Sequence, residues 1–183
     1  LSPIAGVHVF QPRRFEDERG FFCETWNRQT LLKQGIDIEF VQDNHSMSVQ
    51  VGTLRGLHYQ TPPHAQDKLV RCTRGAIFDV AVDIRTGSST YGQWYGIELS
   101  AENGKQLFVP AGFLHGFLTL MPNTEVVYKC SNFYAAKSDG SVLWSSLGIE
   151  WPALNGAPLL SKKDRNAPPF HATESPFCLE ACA

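Results

Sequence analysis

The residues best suited to chemistry in this chain are histidines that follow glycine-punctuated apolar runs. In Gly52-Thr53-Leu54-Arg55-Gly56-Leu57-His58-Tyr59-Gln60, alternating side chains on a predicted strand lead to His58, and Pro110-Ala111-Gly112-Phe113-Leu114-His115 leads to His115 in the same way. An imidazole has an unperturbed pKa of about 6.5, so His58 is suited to take a proton near neutral pH. Tyr128 lies in the run 125–133 and offers a phenolic proton to return. Lys68 opens another run, where an ammonium stabilises the oxyanion formed when a carbon beside a carbonyl is deprotonated. Arg19 and Arg55 present planar, bidentate donors that suit a diphosphate. Each has an ordinary explanation when taken alone, because a lone histidine is more often a satisfied core residue and a lone lysine or arginine a solvated charge. Two matched glycine–histidine spacings together reverse that preference.

These groups must be held by strands. Segments 68–72, 77–84, 94–99, 106–109, 115–120 and 125–133 are separated by Gly, Pro, Asn and Ser clusters. In 77–84, Phe78, Val80, Val82 and Ile84 share one face and Asp79 and Asp83 the other, which predicts a half-buried strand. Regular strand spacing of this kind predicts an all-β sandwich or barrel. Helices are few and peripheral. Asn27 caps a predicted turn containing Leu31 and Leu32 that ends at Gly35, and a weaker helical or irregular segment covers 161–166, before Pro168-Pro169. The segment 171–183 has no usable periodicity.

Composition narrows the function. With 183 residues, 43% hydrophobic and 19% charged, the chain is expected to form one packed domain over 1–183. A net charge of -2 with dispersed basic residues lacks the footprint of a nucleic-acid binder. No apolar run approaches a membrane span and the start lacks a signal-peptide pattern, so a cytoplasmic location is expected. Cys23, Cys72, Cys130, Cys178 and Cys182 contain no CxxC pair and read as free thiols.

The two histidine spacings resemble the paired motifs of the cupin superfamily, small jelly rolls with the active site inside the barrel. A metal-binding cupin places a second histidine where Gln60 stands and a glutamate soon after, and no glutamate precedes Lys68. No metal is therefore expected, and the interior reads as an acid/base pocket.

Several motifs together resemble the dTDP-4-dehydrorhamnose 3,5-epimerase family: DERGFF (17–22), VQDNHS (41–46), LRGLHYQ (54–60), KLVRC (68–72), GQW (92–94), LSAEN (99–103) and GFLHGF (112–117). The likeness continues through Val127-Tyr128-Lys129, Asn132-Phe133-Tyr134, GIEWP (148–152) and LSKKD (160–164). It implies a jelly-roll homodimer that acts, without a cofactor, on a dTDP-linked 4-keto-6-deoxyhexose. His58 would be the base and Tyr128 the acid, Asp164 would orient His58, and Lys68 would polarise the C4 oxygen with His115 nearby. Arg19, Glu24, Gln42, Asn44, Arg55, Asp139 and Lys163 match positions that contact nucleotide, phosphate or sugar, and Tyr134 matches an aromatic that stacks on thymine. Asp139 stands where the family often has glutamate, and Phe133 where some members have tyrosine. The resemblance leaves open epimerisation at C3 or C5 alone. A non-catalytic sugar-nucleotide-binding cupin would not need the His58, Tyr128 and Asp164 set, and a metal-dependent cupin oxygenase or isomerase is disfavoured by Gln60.

Overall fold

Period-two alternation sorts the strands into facing sheets whose inner side chains meet. The structure, a computed structural model, describes residues 4–179. In chain order its elements are β1 (His8–Phe10), β2 (Arg14–Asp17), β3 (Gly20–Cys23), α1 (Arg28–Lys33), β4 (Gln42–Ser48), β5 (Leu54–Gln60), β6 (Lys68–Arg74) and β7 (Ala76–Asp83). There follow β8 (Trp94–Ser100), β9 (Gln106–Val109), β10 (Phe113–Thr119), β11 (Thr124–Cys130), β12 (Asp139–Ser141), α2 (Lys162–Arg165) and a 3-10 turn at Phe170–Ala172. One five-stranded sheet runs β1-β9-β6-β11-β4, the other β12-β5-β10-β7-β8, and β2 and β3 form a separate hairpin. The named strand pairs are antiparallel, giving the all-β jelly-roll sandwich expected from the sequence.

Between the sheets, Val70, Cys72, Leu107, Val109 and Val126 pack against Ile77, Ala81, Leu99, Phe113 and Phe117. Fully burying the Val, Leu, Ile and Phe side chains among these contributes roughly 1.5–3 kcal/mol each. The outer face of the first sheet is capped by α1, whose Leu31 joins Ile36, Leu69 and Phe108. This helix starts where expected: Asn27 accepts from the Gln29 amide, and Gly35 beyond its end has a φ of +82°, which favours glycine.

One expectation needs correction. The strand at 77–84 is buried on both faces. Val80, Val82 and Ile84 lie under a layer built from Val142, Ile149, Trp151, Phe170 and Phe177, while Asp79 and Asp83 have no exposed surface. Alternation identified the strand but not what covers each face. The segment 171–179, whose residues show no periodicity, is anchored. Thr86 and Cys178 form a bridge, the Thr86 amide donates to the Phe177 carbonyl at 2.9 Å and the Leu179 amide donates to the Thr86 carbonyl at 2.8 Å. Its contacts are long-range, which is why no local period announces them. Cys182 and the rest of 180–183 lie outside the described residues.

The motif 17–22 forms the β2–β3 hairpin, closed by Asp17, which accepts from the Arg19 amide at 2.9 Å. The predicted segment 161–166 is α2 with its caps: Ser161 accepts from the Asp164 amide. No helix among the described residues is long and apolar enough to cross a membrane.

Candidate active site

Arg55 and His58 are three residues apart, so strict alternation would send them to opposite faces of β5. The pairing with β10 prevents this. His58 lies opposite His115 and Arg55 opposite Phe117, which sets Gly56 and Leu57 against Gly116 alone, a β-bulge. The extra residue returns both side chains to the interior, where they line one cavity. Glycine is required at the bulge: Gly56 has a φ of +136°, and a Cβ there would meet the Gly116 Cα at 2.6 Å.

That cavity has a volume of about 430 Å³ and lies between the sheets. His58, Arg55 and His115 line it from β5 and β10 of one sheet, Lys68 and Tyr128 from β6 and β11 of the other, and Asp164 from α2. Phe117, Leu159 and Leu160 supply apolar wall. A second cavity of about 310 Å³ is lined by Gln42, Asn44, Gln66, Tyr134 and Asp139, and it shares His58, Lys68 and Tyr128 with the first. A ligand spanning both would pass these three groups, with His58 on one sheet and Lys68 and Tyr128 on the other.

The His58 Nε2 meets Asp164 Oδ1 at 2.5 Å, leaving Nδ1 as the nitrogen available for a proton. The Ser161 hydroxyl donates to Asp164 Oδ2 at 2.8 Å. Burial pushes the Asp164 carboxyl upward, but hydrogen bonds from His58 and Ser161 and the Lys163 charge outweigh it and hold the pKa below 3.8. An ionised Asp164 stabilises a protonated His58, the arrangement a general base needs. Burial raises the Tyr128 pKa, with Cys130 adding and Arg55 opposing, so the phenol keeps its proton at neutral pH. Burial lowers the Lys68 pKa, and Cys130, Asp79 and Asp139 oppose that fall while Lys163 adds to it.

Around the second cavity, the Gln42 side chain donates to Asn44 Oδ1 at 3.0 Å and accepts from the Tyr134 amide at 2.9 Å. Asp139 accepts from Lys163 Nζ at 2.6 Å and from the Tyr134 hydroxyl at 3.3 Å. Gln60 is buried and spends both ends of its amide on backbone: it donates to the carbonyls of His64 and Phe133 and accepts from the Ala135 amide. It thereby anchors the loop that carries Tyr134. Among the described residues no cluster of three or more His, Cys, Asp or Glu could hold a metal ion.

Two sequence candidates stand apart from this cavity pair. Arg19 is 84% exposed at the hairpin and paired with Asp17 at 2.5 Å. Glu24 accepts from the Asn27 side chain and lines a different cavity, beside α1. Sequence reasoning also missed residues. Ser161 could have been found, since a serine three residues before an aspartate is a helix-start signature. Asp79, which meets His115 Nε2 at 2.7 Å, gave only the signal of a charge recurring inside an apolar run.

Comparison with known proteins follows the same lines. The model of a family described as dTDP-4-dehydrorhamnose 3,5-epimerase matches residues 2–172. The chain is 54% identical over 172 residues to the dTDP-4-dehydrorhamnose 3,5-epimerase of Shigella flexneri, covering 92% of this chain and 93% of that one. It is similar to a solved structure of the Bacillus anthracis enzyme of that name with TDP and PPi bound, at a TM-score of 0.87 and 49% identity, covering 90% of this chain and 94% of that one. It is also similar to the dTDP-6-deoxy-D-glucose-3,5-epimerase of Legionella pneumophila in complex with dTDP-4-keto-L-rhamnose. There the TM-score is 0.93 with 40% identity, covering 98% of this chain and 97% of that one.

Proposed function

The chain belongs to the dTDP-4-dehydrorhamnose 3,5-epimerase family, an isomerase family, and from that premise we propose that it inverts C3 and C5 of dTDP-4-dehydro-6-deoxy-D-glucose. The 4-keto group acidifies the hydrogens at both neighbouring carbons. His58 removes one as a proton, the C–H electron pair moves into an enolate whose oxygen faces Lys68, and Tyr128 delivers a proton to the other face of the ring. The half-exposed His58 then loses its proton to solvent and the Tyr128 phenolate regains one, so the site resets with no redox partner. Inversion follows from taking the base and the acid from opposite sheets.

The observation that carries this reading is that His58, Lys68 and Tyr128 line both adjoining cavities. One cavity is large enough for a hexose ring, and the other is rich in amides and bears Tyr134, as suits a nucleobase. Arg55 is partly committed to Ser48 and Met47 and presents its remaining donors for the diphosphate. The test is NMR of the product formed from dTDP-4-keto-6-deoxyglucose in heavy water. Deuterium at both C3 and C5 with inverted configuration supports double epimerisation, label at one carbon alone supports a mono-epimerase, and unchanged sugar rejects catalysis on this substrate.

Arg19 and Glu24 enter the same reading through a homodimer in which the hairpin of one protomer reaches the cavity of its partner. Phe15, Phe21 and Phe22 on that hairpin are largely exposed, an apolar surface that a second copy would cover. Mixing the inactive variants Arg19→Ala and His58→Ala with subunit exchange should restore activity, because one site per heterodimer is then intact. No recovery would mean that Arg19 serves its own subunit or neither.

A further inference from the structure

The strand β7 carries a carboxylate that the reaction above does not use. Asp79 has no exposed surface, its Oδ1 accepts from His115 Nε2 at 2.7 Å, and its Oδ2 has no hydrogen-bond partner. A buried ionised carboxylate with half its acceptors idle is costly, and a neighbouring positive charge offsets that cost. His115 is the group it touches, and His115 is directly opposite His58 across β5 and β10 and lines the same cavity. Lys68 lies close enough for the Asp79 charge to favour its protonated form.

We propose that Asp79 is a positioning residue that holds His115 as an imidazolium, so that its Nδ1–H joins the Lys68 ammonium as a donor to the enolate oxygen at C4. A neutral imidazole with its proton on Nε2 would present a lone pair from Nδ1, which repels an oxyanion. With an anion fixed behind Nε2, both ring nitrogens keep their protons and the wall facing the carbonyl bears two cations. The bulge serves this arrangement, since the same register that turns Arg55 and His58 inward aligns His115 beside them. The inference rests on the epimerase reading and adds a residue to it.

The decisive variant is Asp79→Asn, which keeps the volume and an oxygen able to accept from Nε2–H while removing the charge. It should fold with an unchanged circular dichroism spectrum and lower kcat by roughly 10²–10³-fold with KM within about threefold, the size expected for losing one oxyanion donor. Adding Asp79→Asn to His115→Gln should lower kcat by at most about threefold further, the part carried by the Asp79 charge on Lys68, because Asp79 acts chiefly through His115. A kcat within twofold of the parent, or a tenfold further loss in the double variant, overturns the proposal. The unsubstituted protein supplies a readout if the variant misfolds: ring nitrogen shifts of His115 at neutral pH should report both nitrogens protonated, and a single protonated nitrogen overturns it. His58→Ala run alongside separates the two readings. If its exchange is lost while Asp79→Asn turns over normally, only the role of Asp79 falls; if His58→Ala exchanges normally, the epimerase assignment of the base falls.

Discussion

Two histidines on adjacent strands of one sheet, His58 and His115, each pair with a carboxylate, and the two pairs differ in their access to water. His58 is 31% exposed and its Asp164 sits on a short helix with both oxygens hydrogen-bonded, one to His58 and one to Ser161. His115 is 8% exposed, and Asp79, on a strand, has one oxygen unpartnered. A base that cycles must trade protons with solvent and keep a partner that tolerates either state, which describes the first pair. A group that holds charge against a developing oxyanion gains from a dry setting with a fixed counter-ion, which describes the second. On the proposed mechanism, similar chemical pieces take different roles through burial and hydrogen-bond supply.

The sharpest way to break the comparison is at the open pair. His58→Ala should lower kcat by roughly 10²–10⁴-fold, read as loss of deuterium entry at C3 and C5. If it still exchanged at the parent rate, the distinction between a cycling and a holding pair would be void.

A third buried carboxylate sharpens it from the side of stability. Asp83 lies on the same strand and face as Asp79, but it accepts from the Arg85 amide and guanidinium, Ser88 and Thr90. Burial pushes its pKa up, yet the Arg85, Ser88 and Thr90 donors outweigh that and bring it down to about 2. A saturated carboxylate of this kind serves the fold, so Asp83→Ala should cost about 3–5 kcal/mol in denaturant unfolding, the usual effect of stripping one partner from a buried pair. Its folded pKa is depressed, so its contribution is complete above the unfolded value near ~3.9 and is lost as pH falls towards 2. The gap between Asp83→Ala and parent stability should therefore be full at neutral pH and shrink progressively below about pH 4. A pH-independent gap would show that packing, not charge, sets the loss.

The smallest effect belongs to the rim. Lys163 and Asp139 form an ion pair with the lysine side chain 41% exposed, a setting worth about 0–1 kcal/mol. Asp139→Asn should raise KM a few-fold and leave kcat and stability nearly unchanged; a collapse of kcat would move Asp139 from binding into the chemistry.

Much of this was legible in the residues, and what was not has a physical reason. Runs 68–72, 77–84, 94–99 and 106–109 announced their strands because alternation is local, and Asn27 and Gly35 announced α1 because caps are local. The facing of β7 was not legible. Covering its outer side depends on residues beyond 140 folding back, a contact with no nearby trace. The Gly56–Leu57 bulge was likewise hidden, since nothing in LRGLHYQ says that its glycine breaks the register. Residues placed by long-range pairing, above all Asp79 beside His115, therefore became visible only once the sheets were assembled.

The proposed inversion requires an imidazole and a phenol acting from opposite sides of one ring, and Tyr128→Phe in heavy water tests that separation most directly. With the base intact and the acid removed, the recovered sugar should carry deuterium in its original configuration while inverted product falls by roughly 10²-fold or more. Inverted product formed at the parent rate, or exchange and inversion lost in equal measure, would contradict it.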